Sequence, residues 1–288
     1  MKIPSVKILS VVVAAAALMF SLPVFSQALK PEEGAPIAEE AYVYGYPLIT
    51  MEMTRRVMTN VREVEGSRAP MGHLNRMRAY PTAAFRDVTA PNADTLYTTA
   101  WIDVGKEPWI LSLPDAHDRY YLFPMLDGWT DVFQVPGKRT TGTGAQTYAI
   151  TGPGWKGKLP AGVTEYKSPT SIVWVLGRIY CSGTTEDYAA VHKMQDEISI
   201  VPLSSYGKSY TPRPGMVDPK IDMKTAVRDQ VNAMDTATYF NLLAALTKDN
   251  PPAPSGKFIT MLRLYWPTET PPSIIDGTWK IPAVQIVN

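Results

Sequence analysis

One cysteine, Cys181, serves the whole chain of 288 residues, so no intramolecular disulfide can form. Stability must come from packing, and a chain of this length buries enough surface to supply it. Cys181 ends the apolar run Ser171–Tyr180, where a small buried hydrophobe is the plain expectation. There are only three histidines, His73, His117 and His192, far apart and without ligand spacing. His117, in the turn PDAHDR beside Asp115 and Asp118, is expected to be solvated, and no metal site is expected. The net charge of +1 has no clustered basic surplus, which argues against a nucleic-acid partner. P-loop, HExxH, CxxC and GxSxG patterns are all absent. Gly152–Gly157 matches GxGxxG in letters, but it runs into KLPAG, which cannot open the helix a dinucleotide phosphate needs. It reads as a turn, and no cofactor is expected.

The only long apolar run lies at the amino end. Lys2 and Lys7 precede Ile8–Leu22, and Val24-Phe25-Ser26 forms a small-residue exit. That order is the order of a secretory signal peptide, and the run is shorter than the ~20 residues a membrane span requires. Cleavage is expected after Ser26 or Ala28. Losing residues 1–28 removes two of the 28 basic residues and none of the 27 acidic ones, which turns the net charge to −1. The expectation is a periplasmic or secreted protein with no membrane span left after cleavage.

Pattern then gives the architecture. A helix is expected from about Pro36 through IAEEAYVYGYPLITMEMTRRVMTN, kinked or divided at Gly45 and Pro47. Period-two alternation over Thr95–Val104 places Leu96, Thr98, Ala100, Ile102 and Val104 on one face and Tyr97, Thr99, Trp101 and Asp103 on the other. Further strands are expected at Trp109–Leu113, Arg119–Leu126, Trp129–Val135, Thr147–Thr151 and Ser171–Tyr180, the last apolar on both faces and therefore central. Thr184, with Asp187 three residues on, caps a helix, and Asp235 caps another that Asn250-Pro251 stops. The sum is an α+β fold, an antiparallel, jelly-roll-like β-sandwich with flanking helices.

Arg178 is the charge that most needs explaining. It shares a face with Ile172, Trp174 and Leu176 in a strand that looks buried, where a guanidinium needs a carboxylate or a bound anion. Asp94, Asp103, Asp127 and Asp131 are the candidate partners, and a structural ion pair is the plainer of the two accounts. Asn92 and Asp94 are placed to close a turn. Tyr97, Trp101, Tyr120, Tyr121 and Trp129 carry polar tips that want partners when buried, although core packing is the plainer account for most of them. Asn92, Asp94, Tyr97, Tyr121, Asp127, Trp129 and Arg178 are therefore the candidate ligand-binding residues, for a small anionic ligand. No catalytic residue is singled out.

The segments NADTLY, RYYLFPMLDGWTDVF and GKRTTG resemble bacterial envelope proteins carrying domain of unknown function 1254, usually followed by domain 1214. The resemblance divides the chain into a signal peptide (1–28), a domain of the 1254 kind (29–204), linker and helices (205–250) and, from 251 to 288, a stretch like the extreme carboxyl end of domain 1214. The body of domain 1214 that normally lies between is missing. Either this is a natural short form, or a deletion has joined the ends near Asn250–Pro252. The apolar strand expected at Lys257–Trp266 would lack its usual neighbours, which implies self-association. The resemblance implies no reaction. An enzyme with a polar-aromatic pocket, a non-catalytic envelope binding or structural module, and an inactive short form all remain open.

Overall fold

The computed structural model describes residues 31–85 and 92–252, with side chains from residue 34 onward. The residues expected to form a signal peptide and the expected strand Lys257–Trp266 lie outside them. The chain divides into one compact unit, residues 42–255, and a second made of residues 1–41 and 256–288. The unit of residues 42–255 holds the features below, apart from the first residues of the opening helix.

Helix α1 spans Pro31–Thr59 without interruption. The break expected at Gly45 and Pro47 is not there. The ring of Pro47 costs one backbone bond, but tertiary packing holds the helix together across it. A Cβ on Gly45 would sit 2.6 Å from Leu243 Cδ2, so the bare position lets the carboxyl-terminal helix approach closely. Leu48, Ile49, Met51 and Glu52 form the buried stripe of α1. Burial tends to raise the Glu52 carboxyl, but hydrogen bonds from Arg55 and Arg56, each 2.7 Å, outweigh it and hold the group below its ordinary range.

Ten strands follow. They are β1 (Asn75–Arg76), β2 (Thr95–Asp103), β3 (Trp109–Leu113), β4 (Tyr121–Leu122), β5 (Met125–Leu126), β6 (Val132–Gln134), β7 (Gln146–Thr151), β8 (Thr164–Lys167), β9 (Ile172–Tyr180) and β10 (Ser199–Pro202). The run expected as one strand from Arg119 to Leu126 is two short ones, because Pro124 has no N–H to continue the ladder. The expected strand from Trp129 shortens to Val132–Gln134, since Asp127–Asp131 closes a tight turn. One sheet has the order β1-β2-β9-β5-β6, with β4 also on β9; the other has the order β10-β3-β7-β8. All pairings are antiparallel except the parallel β7–β8 pair. As its two-sided apolar pattern required, β9 is central, pairing with β2, β4 and β5.

The two sheets face each other as a sandwich. Its core takes Leu96, Ala100 and Ile102 from β2, and Val173, Val175 and Ile179 from β9. From the second sheet come Leu111, Leu113, Tyr148, Ile150 and Ile200, and Cys181 is buried among them. The expectation for Cys181 is met.

Helix α2 (Thr185–Glu197) closes the edge of the core with Val191 and Met194. Thr184 Oγ1 accepts from Asp187 N at 3.2 Å, the cap that the sequence announced. Asp187 in turn accepts from Arg119 Nη2 at 2.6 Å and from Ser182 N at 2.6 Å. The Arg119 hydrogen bond, against an opposing burial effect, holds the Asp187 carboxyl down at about 2. A carboxyl depressed on folding stabilises above its unfolded pKa and loses that contribution as pH falls through the folded value. The stability gap between wild type and Asp187→Asn is therefore full above about pH 4 and closes toward pH 2, a trend that denaturant melts across acid pH will read.

Two more helices complete the unit, α3 (Val227–Asn232) and α4 (Thr236–Asp249). Asp235 caps α4 by accepting from Thr238 N at 2.7 Å, and Asn250 ends it, its Nδ2 donating to Leu246 O at 3.1 Å. Asn250 Oδ1 also accepts from Ile172 N at 3.2 Å, which ties α4 to the start of β9. Among the described residues no helix is long and apolar enough to cross a membrane.

Candidate functional site

The antiparallel register between β2 and β9 sets Tyr97 opposite Arg178, Thr99 opposite Leu176 and Trp101 opposite Trp174. Residues directly opposite project to the same side of a sheet. The even positions of β2 fill the sandwich core, so these six side chains lie on the other face. Each of the two strands carries aromatic and polar residues at alternate positions, and pairing gathers them.

Trp101 and Trp174 stack with ring centroids 4.7 Å apart and planes 8° from parallel. Trp101 is 3% exposed. The indole Nε1 of each is buried and has no hydrogen-bond acceptor. Two pairs along the strands, the Arg178 guanidinium carbon stands 5.3 Å from the centroid of the Tyr97 ring, a cation–π distance. Arg178 Nε is also buried without an acceptor. A buried donor left alone costs about 1–3 kcal/mol, so three of them on one face are a concentrated cost. All three are N–H groups. What they lack is an acceptor, and the only formal charge among them is positive.

Arg178 forms no ion pair or hydrogen bond with any other described residue, which overturns the carboxylate partnership that the sequence favoured. Each candidate aspartate is engaged elsewhere or turned outward. Asp103 accepts from Gly105 N at 2.9 Å. Asp127 Oδ1 accepts from Trp129 N at 2.8 Å and Asp131 N at 3.0 Å; burial pushes this carboxyl up despite those bonds. Asp94 and Asp131 are exposed. The aspartates serve their own turns, as Asx residues commonly do, and leave the guanidinium alone.

Of the residues chosen from the sequence, Tyr97, Asn92 and Arg178 come together. Asn92 Oδ1 accepts from Thr95 N and Oγ1, closing the expected turn, and its Nδ2 donates to the Tyr97 hydroxyl at 2.8 Å. Gln195 Nε2, on α2, donates to the Tyr97 and Met77 carbonyls and to Thr98 Oγ1, fixing the strand behind the ring. Asp94 contributes only its carbonyl, which accepts from Cys181 N at 3.0 Å. Tyr121 is fully buried in the sandwich core, on the opposite side of the sheet, with its hydroxyl donating to Gly142 O at 3.1 Å. Trp129 packs on Tyr44 at 5.0 Å and donates to Asn250 O at 3.1 Å, a structural seam between loop and helices. Trp101, one of the aromatics that the sequence offered as pocket lining, and Trp174 are both outside the candidate set drawn from the sequence. Only their shared face with Tyr97 and Arg178 points to them, and face alone does not say which strand lies alongside.

The remaining sequence motifs fall in turns. Gly152–Gly157 is a turn in which Trp155 N donates to Gly152 O. His117 is exposed, in a left-handed turn with φ of 47°. Among the described residues no three His, Cys, Asp or Glu side chains gather as metal ligands.

The fold and this face together define an α+β sandwich protein whose Arg178, on an aromatic sheet face turned away from the core, has no acceptor among the described residues. Residues 71–202 match the family described as protein of unknown function (DUF1254), a span that contains all three segments on which the resemblance rested. The chain is similar in fold to the VPA0106 protein of Vibrio parahaemolyticus, at 23% identity and a TM-score of 0.52, over 79% of this chain and 55% of that one. It thus spans little more than half the length of that protein. A likeness of 13% identity and TM-score 0.35 to an uncharacterised protein of Burkholderia cenocepacia covers 80% of this chain and 61% of the other. No curated protein matches.

Proposed function

We propose that this chain is an exported protein that binds a small carboxylate-type anion on the outer face of β2 and β9, with Arg178 as the charge that receives it. The observation that carries this reading is the buried Nε of Arg178 with no acceptor among the described residues, beside two indole N–H groups in the same condition. A planar guanidinium matches a carboxylate in shape and charge. The half-buried setting strengthens the attraction over what a solvated pair would give. Tyr97, held by Asn92, forms the wall on which the guanidinium rests. Calorimetric titration of the mature chain with acetate, decanoate and phosphate tests the reading. Saturable heat from a carboxylate, lost in Arg178→Met, supports it; no heat from any of them rejects it.

The export half of the proposal rests on the charged start, the apolar run and the small-residue exit of residues 1–28. The mature chain from a bacterial host begins at Gln27 or Leu29 and appears in the periplasmic fraction. Amino-terminal sequencing reads this, and an intact Met1 on cytoplasmic protein would refute it. In the same reading the residues after about Ala253 represent the carboxyl end of domain 1214.

A further inference from the structure

We infer that the anion is elongated: a medium-chain carboxylate with a neutral hydrogen-bond acceptor near its far end. The inference rests on the reading of Arg178 as the anion site and adds the length and the distal chemistry. Arg178 and Trp174 are four residues apart on β9, and their partners Tyr97 and Trp101 are four apart on β2. At ~3.4 Å per residue the backbone positions that carry the two donor groups stand ~14 Å apart along the strands, about the reach of a ten-carbon chain. Between them lies the pair Thr99 and Leu176, one side chain small and the other apolar, with no charge. That floor suits methylene groups and offers nothing to a second charge. The far end is different. Trp101 and Trp174 present two neutral N–H donors, both buried and both without acceptors. A carbonyl oxygen, with two lone pairs and no proton to place, answers them both. A second carboxylate would have to shed its water for two uncharged donors, a poor exchange. The site is thus charged at one end, apolar in the middle and donor-only but neutral at the other.

The experiment is a ladder of probes titrated calorimetrically into the full mature chain: acetate, hexanoate, decanoate, and a keto-decanoate with its carbonyl on the penultimate carbon. Affinity rises at each step, with decanoate at least about tenfold tighter than acetate as apolar burial accumulates. The keto acid gains a further factor of about five over decanoate from its new hydrogen bonds. Trp101→Phe and Trp174→Phe keep a ring for stacking and remove the N–H. Each reduces the advantage of the keto acid over decanoate, and a circular-dichroism spectrum and thermal melt matching wild type certify the fold. The inference is overturned if acetate binds as tightly as decanoate, if the keto group adds nothing, or if its advantage survives in both variants. In those cases loss of binding in Arg178→Met still upholds the anion site. If no member of the ladder binds the wild type, the underlying reading itself fails. The wild-type ladder alone decides the length claim, so a variant that misfolds does not shelter it.

Discussion

Arg178→Met abolishes carboxylate binding, a loss of at least about a hundredfold, while leaving the ligand-free protein as stable as wild type or slightly more stable. The pairing of the two results is the point. A buried guanidinium held by an aspartate would behave differently: removing it would orphan the carboxylate and cost about 3–5 kcal/mol. Here there is no such aspartate among the described residues, and the guanidinium rests instead on the face of Tyr97 at 5.3 Å. A cation–π interaction at a half-buried position contributes about 1 kcal/mol, which the relief of an unpartnered Nε roughly offsets. Methionine keeps much of the stem that covers Tyr97. Denaturant melts and a carboxylate titration on the same preparation read both quantities. Strong destabilisation with binding intact would mean that Arg178 is a structural residue.

The second large effect lies in the core behind the site. Phe123 is fully buried, and Gly177 sits on β9 against its ring. A Cβ at Gly177 would lie 2.3, 2.6 and 2.7 Å from three atoms of that ring. Phe123→Ala should cost about 3–5 kcal/mol through lost burial and the space left behind. Gly177→Ala alone should cost about 1–3 kcal/mol, because a ring packed on all sides cannot move away. In the double variant the new methyl enters the space the ring vacated. The combined loss is therefore smaller than the two losses added, by about 1 kcal/mol or more. Melts of the four proteins of the cycle measure the coupling. Additive losses would mean that Gly177 and Phe123 do not meet, and that β4 and β5 sit on β9 in another register.

What the sequence makes legible follows from the range over which each signal acts. The cap from Thr184 to Asp187, the stop at Asn250 and the alternation of β2 are local, and each reads to within a residue or two. The unbroken α1 escapes such a reading because Gly45 looks like a weakness until Leu243, almost two hundred residues away, is seen to fill the space beside it. Arg178 stands out as a residue out of place, since charge in an apolar strand is visible in the chain itself. Its surroundings are not. Four aspartates offer themselves as partners, and nothing local shows that each is used by its own turn or faces outward. The partner strand is some eighty residues distant, so the meeting of Tyr97 with Arg178 and Trp101 with Trp174 exists only in the register. Tyr121 shows the converse: its hydroxyl looks like a site group, and the pleat turns it into the core.

The anion site depends on one atom, the buried Nε of Arg178, which has no acceptor among the described residues. Nuclear magnetic resonance of the guanidinium Nε–H, labelled with nitrogen-15 and assigned through its absence in Arg178→Lys, observes that group directly. In the ligand-free protein the signal should lie where a proton without a strong acceptor resonates. Adding decanoate should move it downfield and saturate, and adding decanol to the same concentration should leave it in place. A signal already downfield before any addition, or one that decanoate does not move, would contradict the claim that this arginine is held open for an anion.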